Sequence, residues 1–324
     1  MSFDVEHVRR LIGENAWAQH PVAALTTYRV GGRAAVFARV DTHDQLRRVA
    51  EVATAHSVPV IVIGRGSNML VSDAGFAGIM VQLGDFASEV DVADDAMVTA
   101  GGAVPLPVLA RRTAASGLTG FEWAVGVPGT VGGAVRMNAG GHGSDMRASL
   151  VDARLFDWRD GSVADVRADG LGLRFRGSSI GDERVVLAAR LALATGVREE
   201  CEATIEGIVR WRRENQPGGQ NAGSVFVNPV PGEVTAGRLI DECGLRGLRI
   251  GTASVSTKHA NFIQADEGGR SDDVLAVMSH VRRVVADKTG YVMRSEVRLV
   301  GFPDARAFDD ARVPHPTAGG DDAH

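Results

Sequence analysis

The chain has 324 residues, 44% hydrophobic and 23% charged, with a formal net charge of −5. Such a balance is ordinary for a globular protein with room for two or three domains and a sizeable core. It carries no basic block, which argues against a nucleic-acid partner, and its longest apolar runs, such as 185–189, are far too short to cross a bilayer.

The first twenty residues are charged and lack an apolar stretch, so they do not read as a secretory signal. Residues 4–13 have the period of a short amphipathic helix. Residues 44–56 repeat it, with Leu46, Val49, Ala50 and Ala53 on one face. A buried strand at 59–63 runs into GRGSN (64–68), which marks a small α/β lobe. Short strands follow at 79–83 and 97–100, then a helix from Pro105 to 116. Strands at 151–157 and 185–193 close a second, mostly β lobe. Composition shifts after residue 196, where charged amphipathic helices are expected at 199–213 and 235–243. Ser271 is placed to N-cap a third helix, with Asp272 and Asp273 near the positive end of its dipole. Val274, Val277, Val281 and Val284 form its core stripe. Residues 291–300 alternate as a strand, Glu296 and Arg298 on one face and Val297 and Leu299 on the other. The tail at 303–324 is polar, bears proline and glycine, and is expected to be disordered. Cys201 and Cys243 sit in no CxxC motif and beside no ligand-like histidines. Two idle thiols in a reducing cytoplasm are expected, with no metal site.

Between Gly101 and Gly143 there are eleven glycines in 43 residues, well above the usual share of about 7%. Glycine costs backbone entropy, so that density needs a cause. One cause is a main chain that approaches a ligand closely and turns its N–H groups toward a phosphate. Neither GxGxxG after a strand nor GxxxxGK[ST] occurs, and a glycine loop of purely structural use is the competing reading. Four patterns ask for more than packing: TTYRVGG (26–32), GRGSN (64–68), GVPGTVGG (126–133) and NAGSVFVNP (221–229).

Taken in order, TTYRVGG, GRGSN, GVPGTVGGAVRMNAG, NAGSVFVNP, KHANF and SEVRLVGF resemble the UDP-N-acetylenolpyruvoylglucosamine reductase (UDP-N-acetylmuramate dehydrogenase) family, in its shorter subclass. The resemblance spans residues 25–302, nearly the whole chain. It implies an α+β architecture, the vanillyl-alcohol-oxidase-type (PCMH-type) FAD-binding fold. That means two α/β lobes, at about 1–65 and 66–195, and a smaller α/β substrate domain at 196–302. It also implies non-covalent FAD, NADPH as co-substrate and UDP-N-acetylglucosamine enolpyruvate as substrate in a cytoplasmic enzyme of peptidoglycan precursor synthesis. No membrane, nucleic-acid or obligate protein partner is implied.

On that resemblance, Tyr28, Arg29, Gly31 and Gly32 would surround FAD, together with Gly64, Arg65, Gly66, Ser67 and Asn68. Gly126, Pro128, Gly129, Thr130, Gly132 and Gly133 would do the same, with Asn138, Ala139 and Gly140 nearby. Arg176 would grip the substrate carboxylate through two hydrogen bonds. Ser224 would give a proton to C2, and Glu296, itself protonated, would stabilise the enolate. Arg212, Asn228, His259 and His142 would approach the nucleotide-sugar. Read alone, the same residues are a surface arginine, a turn serine, a structural salt bridge between Glu296 and its arginine neighbours, and a core or surface histidine.

Several positions depart from the family pattern. Phe175 replaces a tyrosine, His142 stands where tyrosine is usual, and Asn215 and Val227 stand where lysine is usual. Two other functions compete. One is an oxidase of the same fold that tethers its flavin to a histidine, for which His142 is the nearest candidate. The other is a non-catalytic nucleotide-sugar-binding paralogue.

Overall fold

In the computed structural model, which describes residues 3–313, the chain opens with helix α1 (Val5–Ile12). Asp4 starts it by accepting a hydrogen bond from His7 N (2.9 Å), and Gly13 ends it at φ 116°. Helix α2 (His43–Ala55) is capped by Thr42, whose Oγ1 accepts from Gln45 N (3.2 Å). The two helices bury Val8, Leu46, Val49 and Ala53 against Val36, Ala38, Ile79 and Val81 of a four-stranded sheet. Each such valine, leucine or isoleucine side chain contributes about 1.5–3 kcal/mol on burial. The sheet runs Ala16–Pro21, Arg33–Val40, Phe76–Leu83, Val60–Val62 in spatial order, antiparallel in the first pair and parallel in the other two.

A second, antiparallel sheet of five strands follows, ordered Val163–Arg167, Leu150–Asp157, Arg184–Ala192, Met97–Gly101, Val90–Val92. Strand alternation, with its faces exchanged at the bulge where Leu155 pairs with Val186 but Arg154 with Ala188, explains how it serves two cores. Val185 and Leu187 join the core of the first lobe, and Val186, Ala189 and Leu191 point to the opposite one. Helices α3 (Leu106–Ala115) and α4 (Val131–Met137) cover that opposite face.

Helix α5 (Arg198–Asn215) buries Cys201, Ile205 and Ile208 in this same second core. The shift in composition at 196 therefore marks a helix start and not the start of a separate core. The C-terminal core gathers later residues: Phe226, helix α6 (Ala236–Glu242), a small sheet of Arg249–Ile250, Ala253–Val255 and Ile263–Ala265, and helix α7 (Ser271–Thr289). It also takes in Tyr28, Val30 and Leu70 from the first lobe. The first lobe itself extends to Leu83, because the central strand Phe76–Leu83 belongs to its sheet. A lobe boundary at 65 would cut that sheet in two.

Four further expectations need correction. Ser271 does not cap α7. It is the first helical residue, and its Oγ is buried without a partner. The cap comes from Asp73, 198 residues away in sequence, whose carboxylate accepts from Ser271 N (3.1 Å) and Asp272 N (3.2 Å). Asp73→Ala is expected to destabilise by about 1 kcal/mol, as loss of an N-cap does, while Ser271→Ala is neutral or stabilising. Urea midpoints of the two variants check the contrast. The buried stripe of α7 is Val274, Val277, Met278, Val281 and Val285, with Val284 only partly covered. Only Arg298–Val300 of 291–300 is a strand, paired in parallel with Met69–Val71. The tail is ordered as far as it is described. Phe308 enters the C-terminal core, and Arg312 pairs with Val292. Residues 314–324, for which disorder is expected, lie outside the described residues.

Candidate active site

A cavity of about 920 Å³ opens among the loops of both lobes and of the C-terminal region. That volume lies toward the top of the range of about 300–1,000 Å³ found for small-molecule sites. One wall is the GRGSN loop, which leaves the strand Val60–Val62. Its carbonyl side is tied down: Gly66 O accepts from Thr27 N (3.3 Å) and Gly64 O from Gln82 Nε2 (3.3 Å). Among the described residues, the amides of Gly64, Arg65, Gly66, Ser67 and Asn68 donate to no protein acceptor. Five consecutive amides without partners, on residues that line the cavity, are donors available to an anion.

The GVPGTVGG loop contributes differently. Gly126, Pro128, Gly129, Thr130, Gly132 and Gly133 all line the cavity. The amides of Val131 and Gly132 are already spent on Val104 O and Gly102 O (both 2.9 Å), and that of Gly133 on Thr130 Oγ1 (3.4 Å). This loop gives shape more than donors. Thr27, which the sequence reading omitted, also lines the cavity, and its buried Oγ1 has no partner.

Six arginines line the cavity: Arg65, Arg136, Arg176, Arg184, Arg212 and Arg298. Among the described residues Glu296 is the one carboxylate there. In a chain of net charge −5 this concentration of cations selects polyanionic ligands. Free amides, an unpartnered hydroxyl and surplus cations together fit the diphosphate of FAD.

Arg176, Ser224 and Glu296, far apart in sequence, meet on this cavity. Ser224 and Glu296 lie on neighbouring segments, because Glu296 N donates to Val225 O (2.8 Å) and Val227 N to Arg294 O (3.0 Å). Asn261, from KHANF, fixes the serine segment. Its Oδ1 accepts from Phe226 N (3.0 Å) and its Nδ2 donates to Phe226 O (2.8 Å). Arg176 holds φ 54°, a left-handed conformation that disfavours non-glycine residues and is common where function fixes the backbone. Its Nε lies 2.9 Å from Glu296 Oε1, yet the N–H is not aligned into a hydrogen bond. Among the described residues the Nε–H is thus left without an aligned protein acceptor. Burial pushes the Glu296 carboxyl above the usual range, against the opposing pull of Arg176 and Arg294.

Arg212 and His142 also line the cavity. Arg212 Nε donates to Gln216 Oε1 (2.8 Å), and burial lowers its pKa. His142 stands edge-on to Trp211, ring centroids 5.0 Å apart. Burial and then Arg212 lower its pKa, which keeps the ring neutral near pH 7.

Other expected site residues lie elsewhere. Tyr28 is fully buried in the C-terminal core, and Arg29 is exposed away from the cavity. Gly31 and Gly32 sit against another stretch of main chain: an added Cβ would fall 2.5 Å from Val71 O and 2.3 Å from Asp73 O, respectively. Gly31→Ala is expected to destabilise by about 1–3 kcal/mol through this clash and its φ of 112°. A lower urea midpoint with unchanged FAD affinity checks it, and weakened FAD binding at wild-type stability would return Gly31 to the cofactor site. Asn138 ends α4 and braces the next turns: its Nδ2 donates to Asp145 (2.9 Å) and Arg174 O (3.2 Å), and its Oδ1 accepts from Arg147 N (2.9 Å). Ala139 and Gly140 do line the cavity.

Asn228 Oδ1 accepts from Ala236 N (3.0 Å) at the start of α6 and does not reach the cavity. His259 turns its Nδ1 to Asn261 N (3.2 Å) and its ring edge to Phe262, as a neutral imidazole whose pKa burial and then Arg246 lower. Of the departures from the family pattern, Asn215, Val227 and Phe175 do not line the cavity, and the Arg176 guanidinium lies over the Phe175 ring at 5.0 Å. Arg136, Arg298, Trp123 and Trp211 line the cavity but were missed as site residues. Only Arg298 had a legible signal, its shared face with Glu296.

Residues 34–167 match the family model of an FAD binding domain, and residues 215–300 match that of the C-terminal domain of UDP-N-acetylenolpyruvoylglucosamine reductase. The chain is 38% identical over 283 residues to the UDP-N-acetylenolpyruvoylglucosamine reductase of Anoxybacillus flavithermus, covering 86% of this chain and 92% of that one. It is 40% identical over 291 residues to the protein of that name from Synechococcus sp. (strain RCC307), covering 89% and 95%. The crystal structure of UDP-N-acetylenolpyruvylglucosamine reductase from Thermus caldophilus matches with a TM-score of 0.75 at 33% identity, over 86% of this chain and 97% of that chain. With its fold, its cavity and relatives of this similarity over most of its length, the chain belongs to the UDP-N-acetylenolpyruvoylglucosamine reductase family.

Proposed function

We infer that this chain is an NADPH-dependent, FAD-containing oxidoreductase that reduces UDP-N-acetylglucosamine enolpyruvate to UDP-N-acetylmuramate for peptidoglycan synthesis. The observation that carries the reading is the meeting of Arg176, Ser224 and Glu296 on the cavity that the free GRGSN amides also face. FAD held in this cavity would supply the transfer of hydride from NADPH to C3 of the enolpyruvyl group.

The side chains do the rest. Gly64, Arg65, Gly66, Ser67 and Asn68 hold the FAD diphosphate by main-chain N–H groups, with Thr27 Oγ1 beside them. Arg176 binds the substrate carboxylate and so fixes C2 and C3 in place. As negative charge spreads from C2 into that carboxylate, Arg176 stabilises it. Glu296, whose carboxyl burial pushes above the usual range, donates a hydrogen bond to the same oxygens in its protonated form. Ser224 gives its proton to C2, which completes the saturated lactyl ether. Arg212 and the neutral His142 border the nucleotide end of the cavity. FAD is held without a covalent bond, and the protein works in the cytoplasm without an obligate protein partner. Among the described residues no helix is long and apolar enough to cross a membrane.

The test is an anaerobic assay of the purified yellow protein. NADPH should bleach the flavin, and added enolpyruvyl nucleotide should restore its colour with formation of UDP-N-acetylmuramate. Bleached flavin that recovers only on exposure to oxygen would favour an oxidase. Bound nucleotide without NADPH consumption would mark a binding protein.

A further inference from the structure

Arg176 sits on a loop, 174–184, that is fastened at several points. Arg174 Nη1 donates to Ser178 O (2.6 Å), and Ser178 Oγ donates to Arg136 O in α4 (2.6 Å). Farther along the loop, Asp182 Oδ1 accepts from both Arg136 Nη2 and Arg298 Nη2, each at 2.6 Å. Arg298 lies two residues beyond Glu296 and, like it, lines the cavity. Asn68 brackets that segment: its O accepts from Arg298 N (3.0 Å), and its Nδ2 donates to Glu296 O (2.9 Å). One carboxylate oxygen thus joins the Arg176 loop, α4 and the segment bearing Glu296.

Asp182 does not line the cavity, and its side chain is half exposed (51%). Its two arginine partners are mostly covered, at 24% and 23%. Two covered guanidiniums facing one oxygen repel each other, and the shared carboxylate holds them together. Without it they separate, and the Glu296 segment moves relative to Arg176. Gly64 and Gly66 of GRGSN are held from the other side, by Gln82 and Thr27 through their carbonyls, and among the described residues only Asn68 of that loop hydrogen-bonds to the Glu296 segment.

We propose that Asp182 is a positioning residue for the reductase reaction, holding Arg298, and through it Glu296, at the separation from Arg176 that reduction of the enolpyruvyl group requires. This rests on the functional reading above. Asp182 touches neither substrate nor cofactor, so its influence falls on the half-reaction that uses Arg176 and Glu296. Delivery of hydride from NADPH is spared.

The test compares wild type, Asp182→Asn and Asp182→Glu as full-length, FAD-loaded protein in anaerobic stopped flow. Bleaching by NADPH in Asp182→Asn should stay within about twofold of wild type, and recovery with enolpyruvyl nucleotide should slow by about 100-fold, the scale of ångström-level misplacement. Asp182→Glu, which keeps the carboxylate, should regain most of that loss. FAD affinity from fluorescence titration should be unchanged, which a general loss of structure would not allow. Equal slowing of both half-reactions, loss of FAD binding in Asp182→Asn, or unchanged recovery while wild type reacts normally would each overturn the proposal. Wild type that bleaches and never recovers with the nucleotide would overturn the functional reading and this proposal with it.

Discussion

Ser224→Ala is expected to accept electrons from NADPH at the wild-type rate and to form product about 10²–10⁴-fold more slowly, the usual contribution of a positioned general acid. The hydroxyl sits on a segment held by Asn261 and by the main chain of Val225 and Glu296, so the loss of one oxygen leaves the cavity wall in place. Serine is a weak acid in water, but the centre it serves is a strongly basic carbanion-like carbon. The hydroxyl of Ser295, next to Glu296, is already committed to Val297 O (2.6 Å). Anaerobic stopped flow separates the two half-reactions. Wild-type recovery of flavin colour in Ser224→Ala would remove the serine from the mechanism.

Arg176→Met should lower kcat/KM by about 100-fold or more, as truncating one partner of a hydrogen-bonded charge pair commonly does. Methionine keeps the unbranched apolar stem of the side chain and removes the donors. The variant also leaves Glu296 without the nearer of its two opposing cations, so its already raised pKa should climb further. The sign follows from the role. If the protonated carboxyl is the active form, activity falls as pH rises through its pKa, and the alkaline limb moves to higher pH in Arg176→Met. A limb that moves to lower pH, or an Arg176→Lys variant with full activity, would contradict the assignment.

Much of this architecture was legible in the sequence because it is locally encoded. Leu46, Val49, Ala50 and Ala53 share one helical face, and residues 185–193 read as a strand, which the structure buries on both sides. The glycine-rich stretches did point to the cavity, but glycine density cannot say what each residue avoids. Gly31 and Gly32 avoid the backbone of Val71 and Asp73, and Gly66 avoids Leu25 O, which an added Cβ would meet at 2.4 Å. The donors that matter on GRGSN are distinguished only by where neighbouring amides find partners. Tertiary pairing also hid the cap of α7, since Asp73 and Ser271 meet through folding and not through spacing. His259 and Asn261 illustrate the same limit. Both belong to KHANF, yet the amide braces the serine segment and the imidazole turns back onto that amide. Ser224, Arg176 and Glu296 came from family resemblance, because a lone serine, arginine or glutamate carries no local mark of its role.

Crystals of the protein grown with FAD and soaked with the enolpyruvyl nucleotide test the central geometry most directly. The account places the FAD diphosphate within hydrogen-bond distance of the amides of residues 64–68, the substrate carboxylate on Arg176, and the Ser224 hydroxyl facing C2. A diphosphate bound against Tyr28 to Gly32, or a substrate carboxylate remote from Arg176, would contradict it.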